Sequence, residues 1–281
     1  MLQATAEMLQ QACNDGYAIG AFNIYNMEGA LAVVRTAEKL RSPVILQLLP
    51  RALEIGGSPL ITFCRAAGSD ARVPVAVHLD HCPEEETIEM AMRAEVSSVM
   101  ADGSHLPLQE NIVFSRRIVA LAKTMNIGVE GELGRLSGEE DGITTPEVLA
   151  KMTSPEEATR FAYETEVDAL AVCIGNNHGK NKKTPKLDFE RLAAIGERVS
   201  IPLVLHGTSG LPDGLIRESI SHGVAKFNVN TEVRSRYMGA MKEICRQPDT
   251  ELIELMEGCI EAMQEPIEHK ILLFGSNGRI K

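Results

Sequence analysis

The chain has 281 residues, 44% of them hydrophobic and 24% charged, with a formal net charge of -11. That composition belongs to a globular protein with a sizeable core, and the acidic balance excludes a nucleic acid or an anionic membrane as the partner of its general surface. The six cysteines are scattered without a CxxC pair, which reads as reduced thiols in a reducing compartment rather than a disulfide framework.

The opening stretch MLQATAEMLQQACNDG is polar and amphipathic, without the basic flank and apolar centre of a signal peptide. No apolar run approaches the ~20 residues that cross a bilayer. A cytoplasmic location with no membrane partner is therefore expected. Apolar, strand-like runs then alternate with helix-period segments. They are YAIGAFNI (17–24), PVILQLL (43–49), VPVAVHLD (73–80), SSVMADG (97–103), IGVEGEL (127–133), ALAVCIG (169–175), IPLVLHG (201–207) and VAKFNVN (224–230). Between them, MEGALAVVRTAEKLR, EETIEMAMRAE and NIVFSRRIVALAKTMN carry apolar residues three and four apart, and TSPEEATRFAYET opens with helix-start residues.

About eight β-then-α units in a chain near the ~250 residues usual for the fold predict a closed (β/α)8 TIM barrel. A doubly wound open sheet is the alternative, but no GxGxxG follows the first strand. With no linker in sight, residues 1–281 read as a single domain, and the tail from about 241 to 281 as an additional helix pair. Two connections, GRLSGEEDGITTPEVLAKMTS and NNHGKNKKTPK, are too long for simple turns and read as lid or ligand loops.

In a barrel, functional residues gather at the C-terminal ends of the strands. That rim would collect Asp80 and His81, Asp102, Glu130 and Glu132, His178, His206, and Asn228 with Asn230. A single histidine in such a place is more often packed or solvated, but His81, His178 and His206 on one rim suit a divalent metal of the zinc type. His78, two residues before Asp80, faces the same way and reads as a supporting residue. HGTSG (206–210) and NVNT (228–231) occupy the strand ends that commonly hold a phosphate. The acidic loop GEEDG (138–142) reads either as a solvated loop or as a mobile general base.

Taken together, FNIYNMEGALAVVRTAEKLRSPVIL, VAVHLDH, SSVMADGSHLPLQENI, VEGELGRLSGEEDG, GNNHG, PLVLHGTSG and KFNVNTE resemble the class II, metal-dependent fructose- and tagatose-bisphosphate aldolase family. The likeness runs collinearly from about residue 5 to 240. It implies that Asp80 moves the proton of the aldehyde-side hydroxyl, and that His81, His178 and His206 hold a catalytic Zn2+. Glu132 and Asp102 would lie at alternative metal positions, Glu140 would exchange the ketose-side C–H proton, and Asn23 would steady the enediolate. Gly179, Gly207, Thr208, Ser209, Asn228, Val229, Asn230 and Thr231 would contact dihydroxyacetone phosphate. A second or monovalent cation near the phosphate loop, a role in glycolysis and a homodimer or homotetramer also belong to what the resemblance implies. Arg279, in the tail, is suggested to reach a neighbouring subunit's substrate.

The chemistry is coherent with these residues. Cleaving the C3–C4 bond of a ketose requires an electron sink at C2 and a base at the C4 hydroxyl, which a Lewis-acidic metal and Asp80 would supply. Departures surround the substrate rather than the metal: GNNHGKN (Asn176, Asn177, Asn181) replaces GTxHGxY, and Thr208 replaces a glycine, so that it narrows the phosphate loop or adds a hydroxyl donor. Lys180, Lys182 and Lys183 form either a solvated basic loop or a second anion site. The sugar stays open among fructose 1,6-bisphosphate, tagatose 1,6-bisphosphate and another ketose phosphate or sugar acid, and cobalt or iron would suit the same ligands. Rival readings are a Schiff-base aldolase using Lys226, a metal-dependent hydrolase, which would need an HxH pair that VHLDH lacks, and a catalytically silent sugar-phosphate-binding paralogue.

Overall fold

The computed structural model describes residues 1–140, 143–146, 150–178 and 186–280, with the backbone alone at 139–140, 143–145 and 178. In chain order, α1 (Thr5–Asp15) precedes β1 (Ile19–Asn23), α2 (Met27–Leu40), β2 (Val44–Leu48), α3 (Pro50–Asp70), β3 (Val75–Cys82), α4 (Glu85–Arg93), β4 (Ser98–Ala101), α5 (Leu108–Met125) and β5 (Gly128–Leu133). There follow β6 (Ser137–Glu140), β7 (Ile143–Thr145), α6 (Pro155–Thr165), β8 (Ala169–Val172), β9 (Asn177–His178), α7 (Phe189–Gly196), β10 (Leu203–Leu205), α8 (Asp213–Ser221), β11 (Val224–Val229), α9 (Thr231–Ile244) and α10 (Leu252–Phe274).

Eight parallel strands close in the order β1-β11-β10-β8-β5-β4-β3-β2, the TIM barrel that the alternating runs predict. Strand alternation sorts the side chains into two cores. Val75, Val77 and Leu79 of β3 join Phe22, Leu46, Val129 and Phe227 in the layer beneath the helices. Ile19, Ala21, Ile45, Ala76, Met100 and Val204 point into the bore, which Met8, Leu9 and Ala12 of α1 close at the N-terminal end. The same alternation sends Asn23, Gln47, His78, Asp80, Glu130, Glu132, Lys226 and Asn228 inward, all 6% exposed or less. The bore is thus apolar below and polar towards the C-terminal rim.

Local signals start the helices where the sequence suggests. Asn26 Oδ1 accepts from the Gly29 amide at 3.0 Å, and Ser154, followed by Pro155, accepts from the Glu157 amide at 3.4 Å. Two features differ from the sequence reading. The tail beyond 241 is not an extra helix pair: α9 starts at Thr231, directly after β11, and is the barrel's own last helix. The polar break RQPDT ends it, and the single helix α10 then packs on α2, α8, α9 and β1. The first long connection is also not wholly irregular, because β6 pairs antiparallel with β7 and parallel with β9 in a separate three-stranded sheet. No helix among the described residues is long and apolar enough to cross a membrane.

Gly131 lies between the inward Glu130 and Glu132 and faces the helix layer, where a Cβ would meet Phe161 Cε1 at 2.8 Å and Val167 Cγ1 at 3.2 Å. Gly131→Ala is therefore expected to cost about 1–3 kcal/mol through overpacking, read as a lower urea midpoint with an unchanged slope.

Candidate active site

Asp80 and His81 are adjacent, so a regular strand would turn them to opposite faces. The β3–β4 register shifts between Leu79 and Cys82, and His81 takes a left-handed φ of 41°. This irregularity brings both side chains to the rim, at a backbone cost that such sites tolerate.

Four strand ends then meet. His81 Nδ1 lies 2.8 Å from Asp102 Oδ2, while Asp102 Oδ1 accepts from the Ser104 hydroxyl at 2.7 Å and amide at 3.1 Å. His206 Nε2 lies 2.9 Å from Glu130 Oε1. A carboxylate only accepts, so His81 carries its hydrogen on Nδ1 and His206 on Nε2. The two remaining nitrogens, His81 Nε2 and His206 Nδ1, face each other at 2.7 Å. In the metal-free protein a proton lies in this contact; replaced by a cation, it leaves two imidazole nitrogens, each ring backed by a carboxylate, which is the arrangement of a metal-binding histidine pair. Asp80, His81 and His206 form one group able to hold a cation, and His81, Asp102 and Glu132 a second that shares its histidine.

Electrostatics follows from this crowding. Burial alone would pull the His81 value down, but Asp80, Asp102 and Glu132 outweigh it and hold the ring well above the ordinary imidazole range. Burial would raise Asp102, yet the hydrogen bonds from His81 and Ser104 hold it well below the usual carboxylate range. Glu132 goes the other way, pushed well above by burial and then by Asp102. Its Oε2 has no hydrogen-bond partner among the described residues and stands 3.5 Å from His81 Nδ1. Three carboxylates gathered this closely around one histidine suit a cation.

Asp80 is held from two sides. Asn228 Nδ2 donates to its Oδ1 at 2.9 Å and Gln47 Nε2 to its Oδ2 at 3.2 Å, while the same Gln47 nitrogen donates to Asn23 Oδ1 at 2.6 Å. Asn23 Nδ2, Gln47 Oε1 and Asn228 Oδ1 lack hydrogen-bond partners among the described residues, although all three side chains are buried. Buried amides with unused capacity around one carboxylate leave polar positions for a hydroxylated ligand.

At the strand ends beside this cluster, Gly207 has a φ of 64°, Ser209 is buried, and Asn230 precedes α9, whose first residue is Thr231. Val229 points into the outer layer, so only its backbone is directed to the rim. Tyr25 donates to Asn230 Oδ1 at 2.8 Å. The Thr208 hydroxyl donates to the Asn228 carbonyl at 2.7 Å, so it ties the loop to β11 instead of adding a donor for a ligand. Asn176 is buried and latches β8 to the next strand end through the His206 carbonyl at 3.0 Å.

Arg279 is placed elsewhere. It stacks 4.6 Å from the Tyr17 ring, just before β1, at the barrel end opposite the rim, so within its own chain it does not reach the cluster. His178 closes β9 and Glu140 closes β6, and both side chains lie outside the described residues, as do Gly179, Lys180, Asn181, Lys182 and Lys183. Gln47 was not singled out from sequence, although a glutamine inside VILQLL, in step with the apolar bore residue Ile45, is the signal that would have found it.

Residues 3–279 match the family model described as fructose-bisphosphate aldolase class-II. The YdjI aldolase from Escherichia coli K12 is similar over 100% of both chains, at 34% identity and a TM-score of 0.90. A candidate fructose-1,6-biphosphate aldolase from Coccidioides immitis is 35% identical over 98% of this chain and 97% of its own, with a TM-score of 0.91. The fructose-bisphosphate aldolase (Fba) from Campylobacter jejuni, 20% identical over 98% and 96% of the two chains with a TM-score of 0.79, shares the fold.

Because the folded value of His81 is raised, its pairing stabilises metal-free protein fully below the ordinary imidazole value and fades as pH rises through the folded value. Asp102→Ala removes the charge-assisted partner. Urea denaturation of chelator-treated protein should find the variant about 1.5–3 kcal/mol less stable at neutral pH, with a smaller further loss towards alkaline pH than the wild type.

Proposed function

The chain belongs to the class II fructose-bisphosphate aldolase family, and from that premise we propose that it is a metal-dependent aldolase that reversibly cleaves a ketose phosphate into dihydroxyacetone phosphate and an aldehyde. The observation that carries this reading is the 2.7 Å approach of His81 Nε2 and His206 Nδ1 beside the Asp80 carboxylate. His81, His206 and, by resemblance, His178 would hold a zinc ion, which supplies Lewis-acid polarisation of the ketose carbonyl when bound.

The chain's own residues account for the proton traffic. Asp80, with both oxygens oriented by Asn228 and Gln47, takes the proton of the C4 hydroxyl as the C3–C4 bond breaks and the aldehyde forms. The electron pair of that bond stays with the ketose-side fragment, whose carbon is protonated by Glu140 in this reading. The acceptor and donor atoms left over on Asn23, Gln47 and Asn228 suit the hydroxyl groups of the sugar. The amides at the start of α9 and the Gly207–Ser209 loop suit its phosphate, which fixes the reacting carbons relative to Asp80.

The Schiff-base alternative is disfavoured by Lys226, whose Nζ is fully buried and donates to Glu130 Oε2 at 2.8 Å. For the sugar, the similarities to the YdjI aldolase and to the candidate fructose-1,6-biphosphate aldolase are nearly equal, so a panel of ketose 1-phosphates, 1,6-bisphosphates and phosphorylated sugar acids is the appropriate probe. At least one should be cleaved. Activity is expected to vanish with EDTA, return with zinc and ignore borohydride, and Asp80→Ala should lower kcat by ~10²–10⁴-fold. Cleavage that survives EDTA and dies with borohydride would transfer the role to Lys226.

A further inference from the structure

Below the rim, Glu130 and Lys226 form an ion pair that the proton traffic proposed above does not use. Glu130 is 3% exposed and Lys226 is 0% exposed, and both lie in the bore one inward position below Glu132 and Asn228. Glu130 divides its oxygens: Oε2 accepts from Lys226 Nζ at 2.8 Å, and Oε1 faces His206 Nε2 at 2.9 Å. A buried pair of this kind rarely repays its desolvation, so its retention calls for a use beyond stability. A histidine ligand must also present the correct nitrogen, and which one is free is set by the hydrogen bond that the other makes.

We propose that Glu130 is a positioning residue that fixes His206 as its Nε2–H tautomer and so presents the Nδ1 lone pair to the rim, with Lys226 compensating the buried carboxylate. This rests on the metal reading above. The opposite edge of the ring carries an independent sign of the same tautomer. Asn228 Nδ2 stands 2.9 Å from Asp80 Oδ1 and 3.0 Å from His206 Nδ1. Since Asp80 accepts, the Asn228 nitrogen is the amide end that faces both groups, and His206 Nδ1 must then accept as well. Glu130 on one edge and Asn228 on the other agree on a single ring state. The partner histidine is fixed in the reverse sense by Asp102 on its Nδ1. Opposite tautomers are what let two neighbouring imidazoles point lone pairs at one place.

The test compares Glu130→Gln, Glu130→Gln/Lys226→Met and Glu130→Leu/Lys226→Met with the wild type. Zinc affinity is read by competition with a chromophoric chelator, and the His206 tautomer by long-range ¹H–¹⁵N spectra of metal-free protein. In the single variant Lys226 draws the amide oxygen, the amide NH2 turns to His206 Nε2 and the ring is forced to Nδ1–H. Zinc binding should weaken ~10–100-fold. Removing Lys226 as well frees the amide oxygen to accept, and should restore both the tautomer and most of the affinity. The Leu/Met pair is neutral like the native pair but has no acceptor, so it should bind weakly again, which a pure charge effect would not produce. If the single variant fails to fold, the two double variants carry the same comparison. Wild-type affinity with Nε2–H retained in the Leu/Met variant would overturn the role of Glu130. Wild-type protein that takes no zinc would overturn the metal reading instead, and the tautomer spectra would still judge Glu130 separately.

Discussion

Two imidazole nitrogens 2.7 Å apart, each ring backed by a carboxylate on its other nitrogen, form the contact on which the rest of this structure depends. Lone pairs do not attract each other, and burial removes the water that would otherwise separate them. The contact is tolerable only with a cation or a shared proton between the rings. Around it the barrel supplies carboxylates on both outer edges and Asp80 at the side, with amide donors on both of its oxygens. The rim is thus an anionic cup built into an apolar cylinder, stabilised by whatever positive charge enters it. Function and local stability are coupled through that charge.

The barrel makes such a cup affordable by layering. Below the rim the bore is lined by alanine, isoleucine, valine and Met100 and is closed by α1, so the polar groups gather towards the C-terminal end, in the last one or two inward positions of the strands. Parallel strands align those positions without any nearby residues in sequence having to cooperate. VHLDH departs from this, because there adjacent residues share a task and the strand must break its pleat to allow it. The pairing of β6 with β9 adds a second geometric link, joining the backbone segment that ends at Glu140 to the one that ends at His178.

Much of this was legible in the sequence because barrel strands are short apolar runs with a polar residue at one end. Asp80, His81, Asp102, Glu132, His206 and Asn228 all announce themselves in that way, and the structure brings them together. What stayed hidden has a common cause. Gln47 sits inside an apolar run, and the Glu130–Lys226 pair spans the bore between β5 and β11, with β8 and β10 between them and 96 residues apart in the chain, so neither partner predicts the other. For Thr208 the sequence left open a narrowed loop or an added donor, because it cannot tell where a hydroxyl points, and the bond to the Asn228 carbonyl depends on the neighbouring strand. The tail was misjudged because an amphipathic helix at the end of a barrel and one added outside it have the same period.

X-ray absorption at the zinc edge of zinc-loaded protein tests the central claim most directly. The account predicts a first shell at about 2.0–2.1 Å with the multiple-scattering pattern of at least two imidazoles and no sulfur. A sulfur shell at about 2.3 Å, drawing on Cys82 or Cys173, or a shell without imidazole, would contradict it.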